Sequence, residues 1–508
     1  MFDFLKKSIF LKNGRLLFLL AYSICLIFLD YKLVIWEDEA FSLNTVSGSF
    51  FETIHSSYFF EGQPPVYFTI LYFWNKLLDG VFFSRLLSSI FILLSGLILD
   101  KVGRLIFKEF YSKLILILFL LNPFTIWAAS EIRLYALVIF LSFTSFYLFY
   151  LVYIRNELRF KWLFFITCLL GIYTQYFFSI LVFAYFIIVL KESGLKGCFD
   201  ILFLSFLLFL LFIPNLLIIP EQYKMHLTIN PPVNRSFIEW LGCLGFSPFQ
   251  VMFAFYKFNP TMVVKIIILF VFIFFTSFIV YRIWVYRNEN GISHAGTLLQ
   301  ILIPISIILI FYFFIFSQST LFYTERYMAV IFPFYCLLLF FISSLRKFFR
   351  LMVYISFISY YLFLTFHFYK PPFLKLHNSK AAASYIEKIQ RENEHVFFRH
   401  TSVLLCFKKY FHGSNPLIDL PERKFDFNYY HYELKDTLEF RDLINSFELK
   451  NNGFILVSSE DSDLSNKSLS NQKLDLYILN NFKILRDTII QGRYSYGFLR
   501  IRQLIENE

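Results

Sequence analysis

Runs of about 20 mostly apolar residues, the length an α-helix needs to cross the hydrocarbon core of a bilayer, recur along this chain and constrain its fold more than any other feature. They fall near 16–35, 84–106, 113–128, 134–154, 162–175, 177–190, 199–219, 262–284, 298–317, 328–345 and 351–369, which makes 11 expected spans. The runs 162–175 and 177–190 are together long for one span and short for two, with the polar stretch Tyr173, Thr174, Gln175 and Tyr176 between them. A further apolar run at 64–79 is short and contains Lys76; it reads as a juxtamembrane helix lying on the membrane surface, with Pro64 and Pro65 at its start.

Charge divides the chain. Residues 375–508 carry 19 Lys/Arg and 18 Asp/Glu, whereas the 374 residues before them carry 28 and 18. The first part is therefore expected to be solvated by lipid and the tail by water. With 58% hydrophobic and only 16% charged residues overall, a soluble enzyme, a secreted disulfide scaffold and a disordered chain are excluded. The formal net charge of +11 does not indicate a nucleic-acid partner, because +10 of it lies in the membrane part and +1 in the tail.

Cationic residues concentrated in membrane loops are an orientation signal. With 11 spans, one side collects Lys6, Lys7, Lys12, Arg15, Lys101, Arg104, Lys108, Lys113, Arg155, Arg159, Lys161, Lys191, Lys196, Arg282, Arg287, Arg346, Lys347 and Arg350, and that side is expected to be cytoplasmic. The opposite side begins with a loop, 36–62, that has no Lys or Arg. Merging the doubtful pair would invert everything after it, so a hairpin of two short helices is expected. The amino terminus is then inside and the tail outside, in a multi-pass protein of the inner (plasma) membrane with a periplasmic C-terminal domain.

The expected fold is an all-α polytopic membrane domain, 1–372, whose first outer loop is 36–83, followed by a small extracytoplasmic α/β domain, 373–508. In the tail, 379–391 reads as an amphipathic helix capped by Ser379. The segments 395–399, 454–458, 483–490 and 494–501 read as strands. No repeat of fixed period is visible. Six cysteines without paired spacing read as small buried hydrophobes.

Four clusters carry ionisable residues to the expected outer side. Glu37-Asp38-Glu39 leaves the first span between Trp36 and Phe41. Such a run is commonly a solvated charge patch, but a carboxylate at a membrane lip is partly desolvated, and that makes it a better general base. Glu61-Gly62-Gln63-Pro64-Pro65 reads either as a helix start or as part of a pocket. Glu131 and Arg133 lie in the turn Ser130–Tyr135 and could simply pair at the surface. Arg326, followed by Tyr327, could be a snorkelling anchor or a ligand contact. Carboxylates and arginines gathered at one face suit an anionic, lipid-borne substrate.

The ordered set of motifs resembles the GT-C superfamily of polytopic glycosyltransferases, in the branch of protein O-mannosyltransferases and lipid A aminoarabinose transferases. The set comprises Asp38-Glu39, QPPVYF at 63–68, SRLLSSIFILLSG at 84–96, GRLIF at 103–107, NPFTIWAASEIRLYAL at 122–137 and ERYMAVIFP at 325–333. The resemblance implies inverting transfer of a sugar from a polyprenyl-phosphate donor to a hydroxyl of a lipid, glycan or protein acceptor. It implies that Asp38 is the general base and that Glu39 orients the acceptor or a bound metal. Arg133 and Arg326, with Tyr135 and Tyr327, would hold the donor phosphate. Glu37, Glu61, Gln63, Glu131, Gln175 and Tyr176 would line the substrate pocket.

Two positions depart from relatives: some carry Lys where Gln63 stands, and many bacterial members have His-Tyr where this chain has Gln175-Tyr176. No metal-ligand spacing appears, and His226 stands alone in the 220–261 loop; a divalent cation is compatible with the residues but not called for. A transporter or lipid flippase without catalysis would place ionisable residues near mid-membrane, and few are there. An O-antigen ligase or polymerase would need a large central loop dominated by Arg and His, whereas the best acidic motif here follows the first span.

Overall fold

The computed structural model describes residues 10–106, 109–229, 263, 267, 270, 277, 300–307, 325–339, 347–392, 394–419, 453–460, 476–493 and 498–506. The described chain is mostly helical, with one five-stranded sheet close to its C-terminus. It divides into two compact units, one formed by Met1–Tyr31 with Gln63–Phe368 and the other by Lys32–Gly62 with Tyr369–Glu508.

In the first unit, helices run α1 (Phe10–Lys32), then, beyond the excursion of the chain into the second unit, through a helix at Val66–Leu77, where the surface helix is expected. The excursion itself carries α2 (Glu37–Thr45) and α3 (Phe50–Phe59), so Val66–Leu77 is α4. There follow α5 (Val81–Ile106), α6 (Glu109–Leu121), α7 (Pro123–Ala129), α8 (Tyr135–Phe149), α9 (Lys161–Ile172), α10 (Phe178–Gly197), α11 (Phe199–Ile229), α12 (Phe332–Leu338) and α13 (Lys347–Phe368). Among the described residues, five helical stretches, Gly14–Lys32, Val81–Ile106, Tyr135–Ile154, Phe199–Lys224 and Phe348–Phe368, are long and apolar enough to cross a membrane. They leave large apolar side chains uncovered, among them Leu16, Ile24, Phe206, Leu217, Phe363 and Phe366, as lipid-solvated helices do.

The run expected as one span over 113–128 is bent by 64° between α6 and α7. The cause is local: Pro123 cannot donate to the preceding turn, and the Asn122 side chain accepts from the Phe124 amide at 2.8 Å, starting a new helix. The doubtful pair is two helices, α9 and α10, joined by residues 173–177. A Cβ on Gly171 would stand 2.4 Å from the Phe178 ring, so glycine lets that turn close. The spans expected at 262–284 and 298–317 lie largely outside the described residues, as do parts of 328–345; of the loop expected over 220–261, residues 220–229 with His226 are the end of α11 and the rest lies outside.

Buried charges are matched within this unit. Asp100 of α5 is paired with both Arg15 of α1 and Arg104 one turn along, and it accepts from Ser112 of α6 at 2.9 Å. The start of α1 and the end of α5, both assigned to the cationic side by sequence, therefore meet. Lys161 at the start of α9 is likewise paired with Asp200 at the start of α11.

In the second unit, α14 (Ser379–Ile389) and α15 (Thr401–Lys408) pack on a sheet of β1 (His395–Phe398), β2 (Leu417–Asp419), β3 (Phe454–Glu460), β4 (Phe482–Ile490) and β5 (Phe498–Glu506), in the order β2-β1-β3-β5-β4. β1 is parallel to β2 and β3, and β5 is antiparallel to β3 and β4. Alternation along the strands sorts the core. Val396, Phe398, Ile455, Val457, Leu499 and Ile501 pack with Ala382, Ile386, Val403 and Phe407 of the helices. Phe397, Phe454, Leu456 and Leu504 pack with Ile478 and Phe482 on the other face.

The cap of α14 is Asn378, whose side chain accepts from the Ala381 amide, and not Ser379, which lies buried inside the first turn. β2 has no counterpart in the sequence reading, and β5 runs on to Glu506 where a strand ending at 501 is expected. At the start of β3, Gly453 has φ +67° and a Cβ there would stand 2.8 Å from the Leu504 carbonyl oxygen. Gly453→Ala is therefore expected to cost about 1–3 kcal/mol. Hydrogen exchange of the β3 and β5 amides in the full chain should rise; unchanged protection would show that the backbone absorbs the methyl.

Candidate functional site

The acidic run does not form a loop. Glu37, Asp38 and Glu39 are the first turn of α2, where carboxylates meet the unpaired amides and positive end of the helix. Trp36 supplies no side-chain cap, but its carbonyl accepts from the amides of Glu39 and Ala40. Successive residues on a helix project about 100° apart, so the three carboxylates reach three surroundings.

Glu39 is fully buried, and its Oε1 lies 3.0 Å from Nζ of Lys375, which is itself only 7% exposed. Glu37 Oε1 accepts from the Ser402 hydroxyl at 2.9 Å and lies 3.2 Å from His377 Nε2. Burial alone would raise the Glu37 carboxyl. The hydrogen bond and positive charge of His377, with the Ser402 hydroxyl, outweigh it and hold the group below the usual carboxylate range. Asp38, between them, is half-buried. Glu61 adds a fourth carboxylate: it is buried after the end of α3 and lies within 3.4 Å of the Ser42 and Thr45 hydroxyls of α2.

The same turn is tied to the tail by its backbone. The Val34 amide donates to the Phe373 carbonyl at 3.1 Å, and the Ile35 amide to the Tyr410 hydroxyl at 2.9 Å. Phe41 of α2 and Phe60 pack edge to face with ring centroids 5.5 Å apart, against Leu405 of α15. Cys406 of α15 is buried close to the acidic turn. Its thiol is pushed far up, first by burial and then by the negative charges of Glu37, Glu39 and Asp38.

Glu37, Asp38, Glu39 and Glu61 thus come together in the second unit. The remaining candidates belong to the first. Glu131 and Arg133, in the turn between α7 and α8, are almost fully buried, so they are not the solvated pair at the surface that their spacing allows. The Glu131 carbonyl accepts from the Ser88 hydroxyl of α5, which fixes that turn. Tyr135 opens α8 with its ring 5.1 Å from that of Trp127. Gln175 is buried in the α9–α10 turn, its backbone amide bonded to the Gly171 carbonyl, and the Tyr176 ring packs edge-on to Phe212. Gln63 is half-buried before Pro64. Arg326 is half-buried in a short 3-10 helix, Glu325–Val330; the side chain of Tyr327, with Tyr323 and Thr324, lies outside the described residues.

Lys375, His377, Ser402 and Cys406 are the site residues that the sequence reading missed. A Lys and a His shortly after Pro371-Pro372 carry no signal that would link them to residues more than 330 positions earlier. Among the described residues, no group of three His, Cys, Asp or Glu side chains is arranged to hold a metal ion.

No family model and no curated protein matches the sequence. Solved structures similar to the chain include ArnT from Cupriavidus metallidurans in the apo state, at 12% identity and a TM-score of 0.43, covering 97% of this chain and 98% of that one. The same protein bound to undecaprenyl phosphate aligns at 11% identity, with a TM-score of 0.42 and the same coverage. The oligosaccharyltransferase of Archaeoglobus fulgidus aligns at 11% identity and a TM-score of 0.45, over 97% of this chain and 75% of its own.

Proposed function

We propose that this chain is an inverting glycosyltransferase that moves a sugar from a polyprenyl-phosphate donor to a hydroxyl acceptor at the extracytoplasmic face of the plasma membrane. The observation that carries this reading is the acidic first turn of α2. Three consecutive carboxylates are not left as a solvated patch: Glu39 is buried against Lys375, and Glu37 is bonded by His377 and Ser402. Asp38 stands half-buried between the two, at the position that the motif resemblance gives to the general base.

In this reading Asp38 takes the acceptor proton as the oxygen attacks the anomeric carbon from the face opposite the leaving phosphate. The configuration inverts in one displacement. The leaving group is a lipid phosphate, already a stable anion near neutral pH, so it needs positive charge in place of a general acid. Arg133 and Arg326, with Tyr135 and Tyr327, are the groups proposed to supply it; Glu61, Gln63, Glu131, Gln175 and Tyr176 are proposed for the sugar and acceptor. The amino terminus is proposed to be cytoplasmic and the tail periplasmic. The acceptor class is left as a lipid, a glycan or a protein hydroxyl.

The test is mass spectrometry of the cell envelope in a strain lacking the chain and in the same strain restored with it. Loss of one glycan mass, regained with the wild-type chain, is the expected result and identifies the sugar. An envelope whose glycans are unchanged, with lipid-linked sugars also unchanged, overturns the transferase in favour of the transporter.

A further inference from the structure

We propose that Lys375 and His377, on the segment that leads from the last span into the tail, are positioning residues for the acidic turn: they hold Glu39 and Glu37 in place and so set the orientation of Asp38. The inference rests on the transferase reading above for its catalytic consequence, but its geometry stands by itself. Lys375 Nζ is 3.0 Å from Glu39 Oε1, and His377 Nε2 is 3.2 Å from Glu37 Oε1, with the Ser459 hydroxyl 3.5 Å from the same ring nitrogen.

Two features make this a clamp and not a chance pair of surface contacts. First, Glu37 and Glu39 flank Asp38 on both sides in one helical turn, so fixing both leaves the residue between them little rotation about the helix axis. Second, the ionisable groups of the cluster are arranged in opposition. Glu39 faces Lys375 and Glu37 faces His377, with Asp38 between them in the same turn and Glu61 beside Ser42 and Thr45 of α2. The turn carries three mutually repelling carboxylates, two of which are met by Lys375 and His377, and α2 has no side-chain cap to hold its first turn closed.

A positioning role has a signature that mere support of the fold lacks. Removing Lys375 leaves the cluster more negative, which raises the proton affinity of its remaining carboxylates. The base is then unprotonated only at higher pH. Lys375→Met is expected to lower kcat about 100-fold, to leave the donor KM within twofold, and to move the acid limb of the pH–rate profile up by about one pH unit. Lys375→Arg is expected to restore the position of that limb. His377→Gln, which keeps a donor but removes the charge, is expected to move the limb in the same direction by less.

A fall in rate with an unmoved pH profile, scaling only with the amount of folded protein, overturns the proposal. So does a Lys375→Met chain with wild-type kcat. Should Lys375→Met fail to fold, the His377→Gln profile decides, and an unshifted limb there counts against the clamp. Hydrogen exchange of the amides at 38–41 separates this failure from failure of the transferase reading. If the wild type turns over no polyprenyl-phosphate sugar, faster exchange in Lys375→Met or His377→Gln still supports the clamp. Unchanged exchange in both overturns it.

Discussion

Asp38→Asn is expected to lower the rate of sugar transfer by roughly 10²–10⁴-fold, the span that a positioned general base contributes. The substitution keeps the size of the side chain and a polar group at the start of α2, and the helix loses a favourable charge near its positive end, about 0.3–1 kcal/mol. Expression, the Lys375–Glu39 pair and binding of the lipid donor should all be retained, because the Lys375–Glu39 and Ser402–Glu37 contacts that hold the turn are made by its neighbours. The measurement is turnover of a polyprenyl-phosphate sugar by purified chains in lipid nanodiscs, with donor binding followed separately. An Asp38→Asn chain that keeps more than about a tenth of the wild-type rate would remove Asp38 as the base and move the assignment to its neighbours.

Arg85→Leu is expected to destabilise the membrane unit by about 1–3 kcal/mol, the usual cost of leaving a buried acceptor without the donor it is bonded to. Arg85 is fully buried near the start of α5, and its guanidinium donates to the Asp30 carbonyl at 2.9 Å. That carbonyl lies in the last turn of α1, where the helix has no acceptor-satisfying amide of its own and its dipole is negative. One turn along α5, the Ser89 hydroxyl donates to the Asp30 carboxylate at 2.8 Å. Leucine would leave the Asp30 carbonyl without the guanidinium. Thermal unfolding in detergent should show the loss. A single variant within about 1 kcal/mol of wild type would mean that water reaches this end of the bundle.

Much of the first unit is legible in sequence because a bilayer leaves few choices. An apolar run long enough to cross must be a helix, since every backbone group has to be bonded within the segment. The helices around 16–35, 84–106, 134–154, 199–219 and 351–369 form close to where their runs predict, and cationic residues said to share a side meet at Asp100. The hairpin at 173–177 is expected from charge, and Gly171 lets it close; the bend at Asn122-Pro123 is not, because it comes from single residues whose effect depends on a neighbouring side chain.

The tail is legible in part. Its α14 and four strands follow apolar alternation, while β2, with three half-buried residues, is too short to show any period. The least legible element is α2. A sequence of three carboxylates predicts a solvated turn, because nearby like charges repel by about 4 kcal/mol at about 4 Å in a partly screened surrounding. Only distant residues reverse that expectation.

By itself, then, the sequence determined what each segment's composition dictates: apolar helices in the first part, a charged α/β tail, and an acidic motif placed just after the first span. What the tertiary structure alone decided is the company that this motif keeps. Lys375, His377 and Ser402 come to Glu39 and Glu37 from the far end of the chain. The physical reason is that solvent preference is a property of each segment, whereas charge neutralisation is a property of pairs, and no local pattern encodes a partner more than 330 residues away.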